Sequence, residues 1–189
     1  LINSLGGTVI RVGDPSMDPF PETIGVIDLS RDIRDQWLHS YVLSNSLFHI
    51  GTTSGPDWVP SLFGVPTLIT NATAIGRNTH SLCEKSFFIP KKVVSGNQHW
   101  SLRSILNSNE AYAEFQVQES RDGYRLECNT EMEILNATKE MIEQLNDDSN
   151  TIKNEYSNRI DSIRRESGAI GFGSISSSFI ESYKTDYLD

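Results

Sequence analysis

Thr52, Thr53 and Ser54 stand between Gly51 and Gly55-Pro56, so three hydroxyls and their backbone N–H groups fall within one small-residue turn. Such groups suit an anion: hydroxyls and amides donate hydrogen bonds, and the dipole at the start of a helix favours negative charge. Gly55 has no Cβ to keep a ligand off the backbone, and Pro56 fits a first helical turn, where the N–H it lacks would be unpaired. A nucleotide diphosphate matches this chemistry. The same residues also meet a second pattern. Ser54 followed three positions later by Asp57 is a capping box, which closes a helix end with no ligand present, and Asp57 would repel a diphosphate if it faced the same way.

Arg11 is the first candidate cation. It lies at the end of the apolar run Thr8 to Val12, before Gly13-Asp14-Pro15, where its planar fork could reach a phosphate or pair with Asp14 or Asp28. Asp14, preceding Pro15, reads as a turn former. Asn71 follows a second apolar run and could bond a sugar or ribose, or start the turn Asn71-Ala72-Thr73. The polar loop 74–82 contains Gly76, Arg77, Asn78, Thr79 and His80 and suits a flap over a ligand, with Arg77 a second cation and His80 a candidate contact. His49 sits within an apolar run and reads as a core histidine. Neither the cysteines Cys83 and Cys128 nor the histidines His39, His49, His80 and His99 show metal-ligand spacing, and no Asp-x-Asp element occurs. No metal and no cofactor are expected.

The elements that must position these groups alternate. Strands are expected at Thr8–Val12, Val26–Asp28, Leu47 onward, Pro66–Thr70 and Ser86–Ile89, with a helix from Ile33 and a short one over Trp58–Phe63. That order implies an α/β fold, a parallel sheet with helices on both faces, whose ligands bind beyond the carboxyl ends of the strands. Gly13, Gly51 and Asn71 all fall at such ends. Further on, Tyr124–Cys128 reads as a strand and Thr130 as the cap of a helix reaching Leu145. A charged helix through Arg159, Ile160, Ile163 and Arg164 reads as presenting a solvated face, and 107–123 lacks periodicity. Gly168 to Ser174 matches no phosphate-loop spacing and reads as a linker to a last helix over Ile175–Tyr183.

With 189 residues the chain can bury a core. A formal charge of -9 excludes nucleic-acid binding through a broad basic surface but leaves room for an anionic ligand held locally. No apolar run reaches the roughly 18 residues of a transmembrane helix, so a cytoplasmic location is expected, with peripheral contact at the inner membrane face as the variant. The first residue is Leu1, which suggests a fragment lacking an upstream domain.

The run FHIGTTSGP, followed by VPSLFGVPTLITN, resembles the donor-binding, C-terminal half of glycosyltransferases built from two Rossmann-like domains (the GT-B arrangement). It is most similar to a bacterial family ascribed to surface-carbohydrate glycosyl transfer, which pairs this segment with an upstream Arg-x-Gly-Asp, here Arg11 to Asp14, and a downstream Phe-Ile-Pro-Lys, here Phe88 to Lys91. Arg11 is also similar to the arginine of a His-x-Arg-x-Gly-Asp element in some fucosyltransferases, although Val9 replaces the histidine. The resemblance implies a Rossmann-like nucleotide-sugar-binding domain over 1–150, a C-terminal helical extension over 151–189, and a missing N-terminal domain. Terminal helices of that fold often pack toward such a domain, consistent with Phe172, Phe179 and Tyr183 forming an exposed face. The implied activity is metal-independent transfer from a UDP- or GDP-linked sugar to a carbohydrate or lipid-linked glycan acceptor. Thr52, Thr53, Ser54, Gly55 and Arg11 would hold the diphosphate, Arg11 stabilising the leaving group, with Gly13, Asp14, Asn71, Arg77 and His80 nearby. An epimerase, a pyruvyl-transferase-like enzyme or a non-catalytic binding domain on the same scaffold are the alternatives.

Overall fold

The computed structural model describes residues 1–31, 36–76, 83, 85–109, 123–147, 156–169 and 173–188. They form two compact units, Leu1–Ser46 and Leu47–Asp189. In the first, β1 (Val9–Arg11) and β2 (Val26–Asp28) run parallel, with Arg11 opposite Asp28. Asn3 Nδ2 donates to the Ile24 carbonyl at 2.7 Å and ties the start of the chain to the approach to β2. Helix α1 spans Gln36–Asn45. Its buried residue is Leu43, whereas Trp37 and Tyr41, read from spacing as part of an apolar face, are 84% and 66% exposed.

The second unit contains a parallel sheet in the order β3-β4-β5-β9, from β3 (His49–Gly51), β4 (Thr67–Ala72), β5 (Phe87–Pro90) and β9 (Ser174–Ile175). The sequence dictates the inner strands: Leu68-Ile69 and Phe87-Phe88-Ile89 are continuous apolar runs, as strands covered on both faces must be. All five side chains are buried. Each stabilises the fold by roughly 1.5–3 kcal/mol relative to exposure. Between β3 and β4 lie a 3₁₀ turn (Gly55–Asp57) and α2 (Trp58–Leu62).

A second, antiparallel sheet has the order β7-β6-β8, from β6 (Lys92–Ser95), β7 (Gln98–His99) and β8 (Arg125–Glu127). The β6–β7 hairpin closes through Gly96-Asn97, a two-residue turn that needs the positive φ of Gly96, 59°. Helices α3 (Leu102–Leu106), α4 (Glu131–Asn146), α5 (Ser157–Glu166) and α6 (Ser177–Tyr187) complete the unit, and α4 packs on β4, β5 and α6. Helix α4 starts where Thr130 was expected to cap it, and the cap is a capping box: Thr130 Oγ1 accepts from the Glu133 N–H, and the Thr130 N–H donates to the Glu133 carboxylate at 2.5 Å.

The residues beyond 150 belong to this core. Strand β9 pairs with β5, and Ile160, Ile163, Phe179, Ile180 and Tyr187 join the cluster formed by the sheet. Two expectations are corrected here. Phe179 is only 2% exposed, and Tyr183 is partly buried against that cluster, so neither forms an unpartnered outer face; Phe172 lies outside the described residues. Arg164, read as part of a solvated face, lies over the Phe88 ring, 5.8 Å from its centroid. The helical spacing of Ile160 and Ile163 turns Arg164 toward the sheet as well.

Candidate functional site at the carboxyl edge of the parallel sheet

Parallel pairing sends the ends of β3, β4 and β5 to one edge, so the segments after Gly51, Ala72 and Pro90 are neighbours. The Thr52–Gly55 turn emerges there, and all four residues are exposed. Two hydrogen bonds tie it to β4. Thr70 Oγ1 donates to the Gly51 carbonyl at 3.0 Å, and Thr53 Oγ1 accepts from the Thr73 N–H at 3.3 Å. That second bond uses a lone pair of Thr53 and leaves its hydroxyl proton to donate outward.

Beneath the turn sits Asp57, 2% exposed. Its Oδ2 accepts from the Ser54 N–H at 2.8 Å and from the Ser54 hydroxyl at 2.7 Å, while its Oδ1 is 2.8 Å from His49 Nε2. The capping box therefore forms. Both donors of Ser54 are committed to it, and the donors left to a ligand are those of Thr52, Thr53 and Gly55. The acid points inward, against a histidine, rather than into the space above the turn. His49 is thus the satisfied histidine its apolar setting suggests, and its partner is the residue eight positions on.

Gly51 makes this packing possible. A Cβ there would lie 1.8 Å from Asp57 Oδ1 and 2.6 Å from His49 Nε2, so the pair occupies the space that any side chain would need. The glycine is required by close approach, since its φ is not in the left-handed region.

Asn71 takes a role different from either one weighed for it. It has φ 51°, a left-handed conformation that asparagine tolerates better than most residues. Its N–H donates to Asn129 Oδ1 at 2.5 Å, its Oδ1 accepts from the Asn129 N–H at 2.7 Å, and Asn129 Nδ2 donates to the Pro90 carbonyl at 2.8 Å. This reciprocal clasp joins the ends of β4 and β5 to the start of α4. The clasp uses one lone pair of Asn71 Oδ1.

Arg11 and Gly13-Asp14 belong to the first unit. Arg11 Nη1 donates to Asp28 Oδ2 at 2.9 Å and its guanidinium lies 5.7 Å from the Phe20 centroid, so the cross-strand pair with Asp28 forms. Ser30 first, and then Arg11, draw the Asp28 carboxyl down to about 2. Asp14 accepts from the Ser16 N–H at 2.8 Å, the bond of a turn former, and Ser16 lowers its pKa. Gly13 faces Met17 and Ser30. Arg77 and His80 lie outside the described residues.

Polar groups that the sequence did not mark complete the edge. Glu140 of α4 caps α6: its carboxylate accepts from the Ser176 hydroxyl at 2.7 Å and from the N–H groups of Ser177 and Ser178 at 2.8 and 3.1 Å. An open groove of about 300 Å³ lies there, lined by Asn136, Lys139, Glu140, Glu143, Ser177 and Ser178. With Glu140 already on the helix N-terminus, that groove presents acid where a phosphate would need donors. Further in, Lys92 Nζ reaches both oxygens of Glu133 at 3.0 and 3.2 Å, and Tyr183 OH bonds to both residues. The only signal for Glu133 was its place in the capping box.

No group of three or more His, Cys, Asp or Glu residues suited to a metal occurs among the described residues. No described helix is long and apolar enough to cross a membrane. Comparison with known proteins gives no match: no family model, curated protein or solved structure corresponds to this chain.

Proposed function

We propose that the Leu47–Asp189 unit is the donor-binding part of a metal-independent glycosyltransferase, and that the diphosphate of a UDP- or GDP-linked sugar lies against Thr52, Thr53 and Gly55. The observation that carries this reading is the direction of Asp57: the acid that would repel a diphosphate is buried against His49, while the turn above it stays exposed at the carboxyl edge of a parallel sheet. The resemblance of the Phe48–Pro56 run supplies the reaction class. In transfer, the oxygen of a carbohydrate or lipid-linked acceptor attacks the anomeric carbon and the nucleoside diphosphate departs. The donors of the turn offset the charge that develops on its oxygens.

A second reading draws on the same residues. Because both Ser54 donors are bonded to Asp57, the turn is complete as a helix cap without a ligand, and the unit would then be a binding domain with no catalytic role.

Ligand-observed NMR of the full chain with UDP, GDP, CMP and their sugar conjugates separates the two. The donor reading expects one nucleotide diphosphate to be preferred and Thr53→Ala to weaken it by roughly 1–3 kcal/mol, the usual cost of losing a hydrogen bond to a charged group. Equal affinity of the variant, or no nucleotide binding by the folded chain, favours the cap.

A further inference from the structure

The donors that the carboxyl-edge turn offers a diphosphate, on Thr52, Thr53 and Gly55, are all neutral. The diphosphate of a sugar nucleotide is a dianion, the Asp57 carboxylate lies beneath the turn, and the chain as a whole carries a formal charge of -9. An ionised donor makes hydrogen bonds roughly twice as strong as a neutral one, so a dianion held against that background calls for a cation at the same edge. Arg11 belongs to the first unit, where it pairs with Asp28.

Strand pairing brings a cation to the turn. Ala72 stands opposite Pro90 at the end of β4 and β5, and the Lys91 N–H donates to the Ala72 carbonyl at 3.0 Å, which carries the ladder one step past Pro90. The residue after Ala72 is Thr73, whose N–H donates to Thr53 Oγ1 at 3.3 Å. Thr53, Thr73 and Lys91 are therefore successive steps across the ends of β3, β4 and β5, where neighbouring strands lie about 4.8 Å apart. A lysine side chain is long enough to cross one such step, and a diphosphate spans the other. Lys92 does not serve here: it is 7% exposed, and its ammonium is bonded to Glu133 and Tyr183. Successive residues of an extended segment point to opposite sides, which takes Lys91 away from that buried pair. Lys91 is half-buried, as a lysine is when it packs its methylene stem and keeps its ammonium in water, and Thr73 beside it is half-buried as well. We propose that Lys91 is the cationic contact of the diphosphate, reaching it from the end of β5 across Thr73, a role that rests on the donor reading of the turn. There its ammonium offsets charge on the departing nucleoside diphosphate.

The test is the affinity of the full chain for UDP and GDP, read by ligand-observed NMR at low and at physiological ionic strength. Lys91→Met keeps the stem and removes the charge. It should weaken the preferred nucleotide at least about fivefold and make binding less sensitive to salt, as loss of a charge-assisted hydrogen bond implies. Lys91→Gln, a second neutral variant, should do the same, and Lys91→Arg should retain most of the affinity. Lys139→Met removes an equal charge from an exposed position on α4 and should leave binding unchanged. Unchanged affinity in Lys91→Met and Lys91→Gln, an equal loss in Lys139→Met, or a loss that Lys91→Arg shares would overturn the assignment of Lys91 while leaving the donor reading in place. Failure of the unsubstituted chain to bind either nucleotide overturns both.

Discussion

Replacing Gly51 with alanine tests the packing under the hydroxyl turn. The added methyl would lie 1.8 Å from Asp57 Oδ1, 2.8 Å from Asp57 Cγ and 2.6 Å from His49 Nε2, all far inside van der Waals contact. Asp57 cannot swing aside freely, because three hydrogen bonds of 2.7–2.8 Å hold its two oxygens. Relief therefore requires breaking at least the bond to His49. A hydrogen bond to a charged group contributes about 1.5–3 kcal/mol, and forcing an extra methyl into a packed site costs about 1–3 kcal/mol. Gly51→Ala should accordingly destabilise the second unit by about 3–5 kcal/mol, read as a lower urea midpoint with an unchanged slope. The cause can be isolated with Asp57→Ala, which removes the obstructing carboxylate. In that background only the His49 ring, 2.6 Å from the added methyl and no longer held by Asp57, still obstructs, so Gly51→Ala should cost at least about 1 kcal/mol less than in the native background, a coupling of the size seen between residues in contact. A small cost in the native background, or equal costs in both, would refute the account of why residue 51 is glycine.

Two further outcomes are expected. Glu133 is buried, which by itself raises its pKa, but Tyr183, Thr130 and Lys92 together hold it below the ordinary value; burial likewise lowers Lys92, yet Glu133 and Tyr183 raise it overall. The Glu133 contribution is therefore present above its unfolded pKa, near about 4.3, and is lost as pH falls through the folded value; the Lys92 contribution is complete below about 10.4 and is lost as pH rises through its folded value. Glu133→Gln should flatten the acid limb of a Tm profile below about pH 5, and an unchanged limb would remove the triad as its cause. At the clasp, Asn71→Gly keeps the left-handed backbone but loses the acceptor for the Asn129 N–H, whereas Asn71→Ala loses the acceptor and adds strain. Urea unfolding should place Asn71→Ala about 1–2 kcal/mol below Asn71→Gly, and the reverse order would contradict the positive φ as a constraint.

Much of the fold is written in local pattern. The apolar runs of β4 and β5, the Thr130–Glu133 box at the start of α4, and the Ile160–Ile163 spacing of α5 each reflect forces acting within a few residues, and each element formed where its pattern placed it. The β6–β7 hairpin has a legible signal as well, Gly96-Asn97 between residues of strand character. Strand β9 had none: two residues do not make a period, and only the edge of β5 makes Ser174-Ile175 a strand. Helix α1 misled in the opposite sense, because helical spacing marks a face without saying whether anything covers it.

The site divides along the same line. Sequence alone determined that Thr52, Thr53, Ser54 and Gly55 form a turn after a strand and that Ser54 and Asp57 make a cap, since those contacts reach no further than one helical turn. Tertiary structure decided the direction in which Asp57 points, because that depends on Gly51 leaving room and His49 supplying a partner. It also decided the fate of Asn71, clasped by a residue 58 positions away, and the burial of Arg164 against Phe88. Local pattern fixes which groups a turn or helix presents. What those groups meet depends on segments distant in the chain, which only the packing of β4, β5, α4 and α5 brings within hydrogen-bonding range.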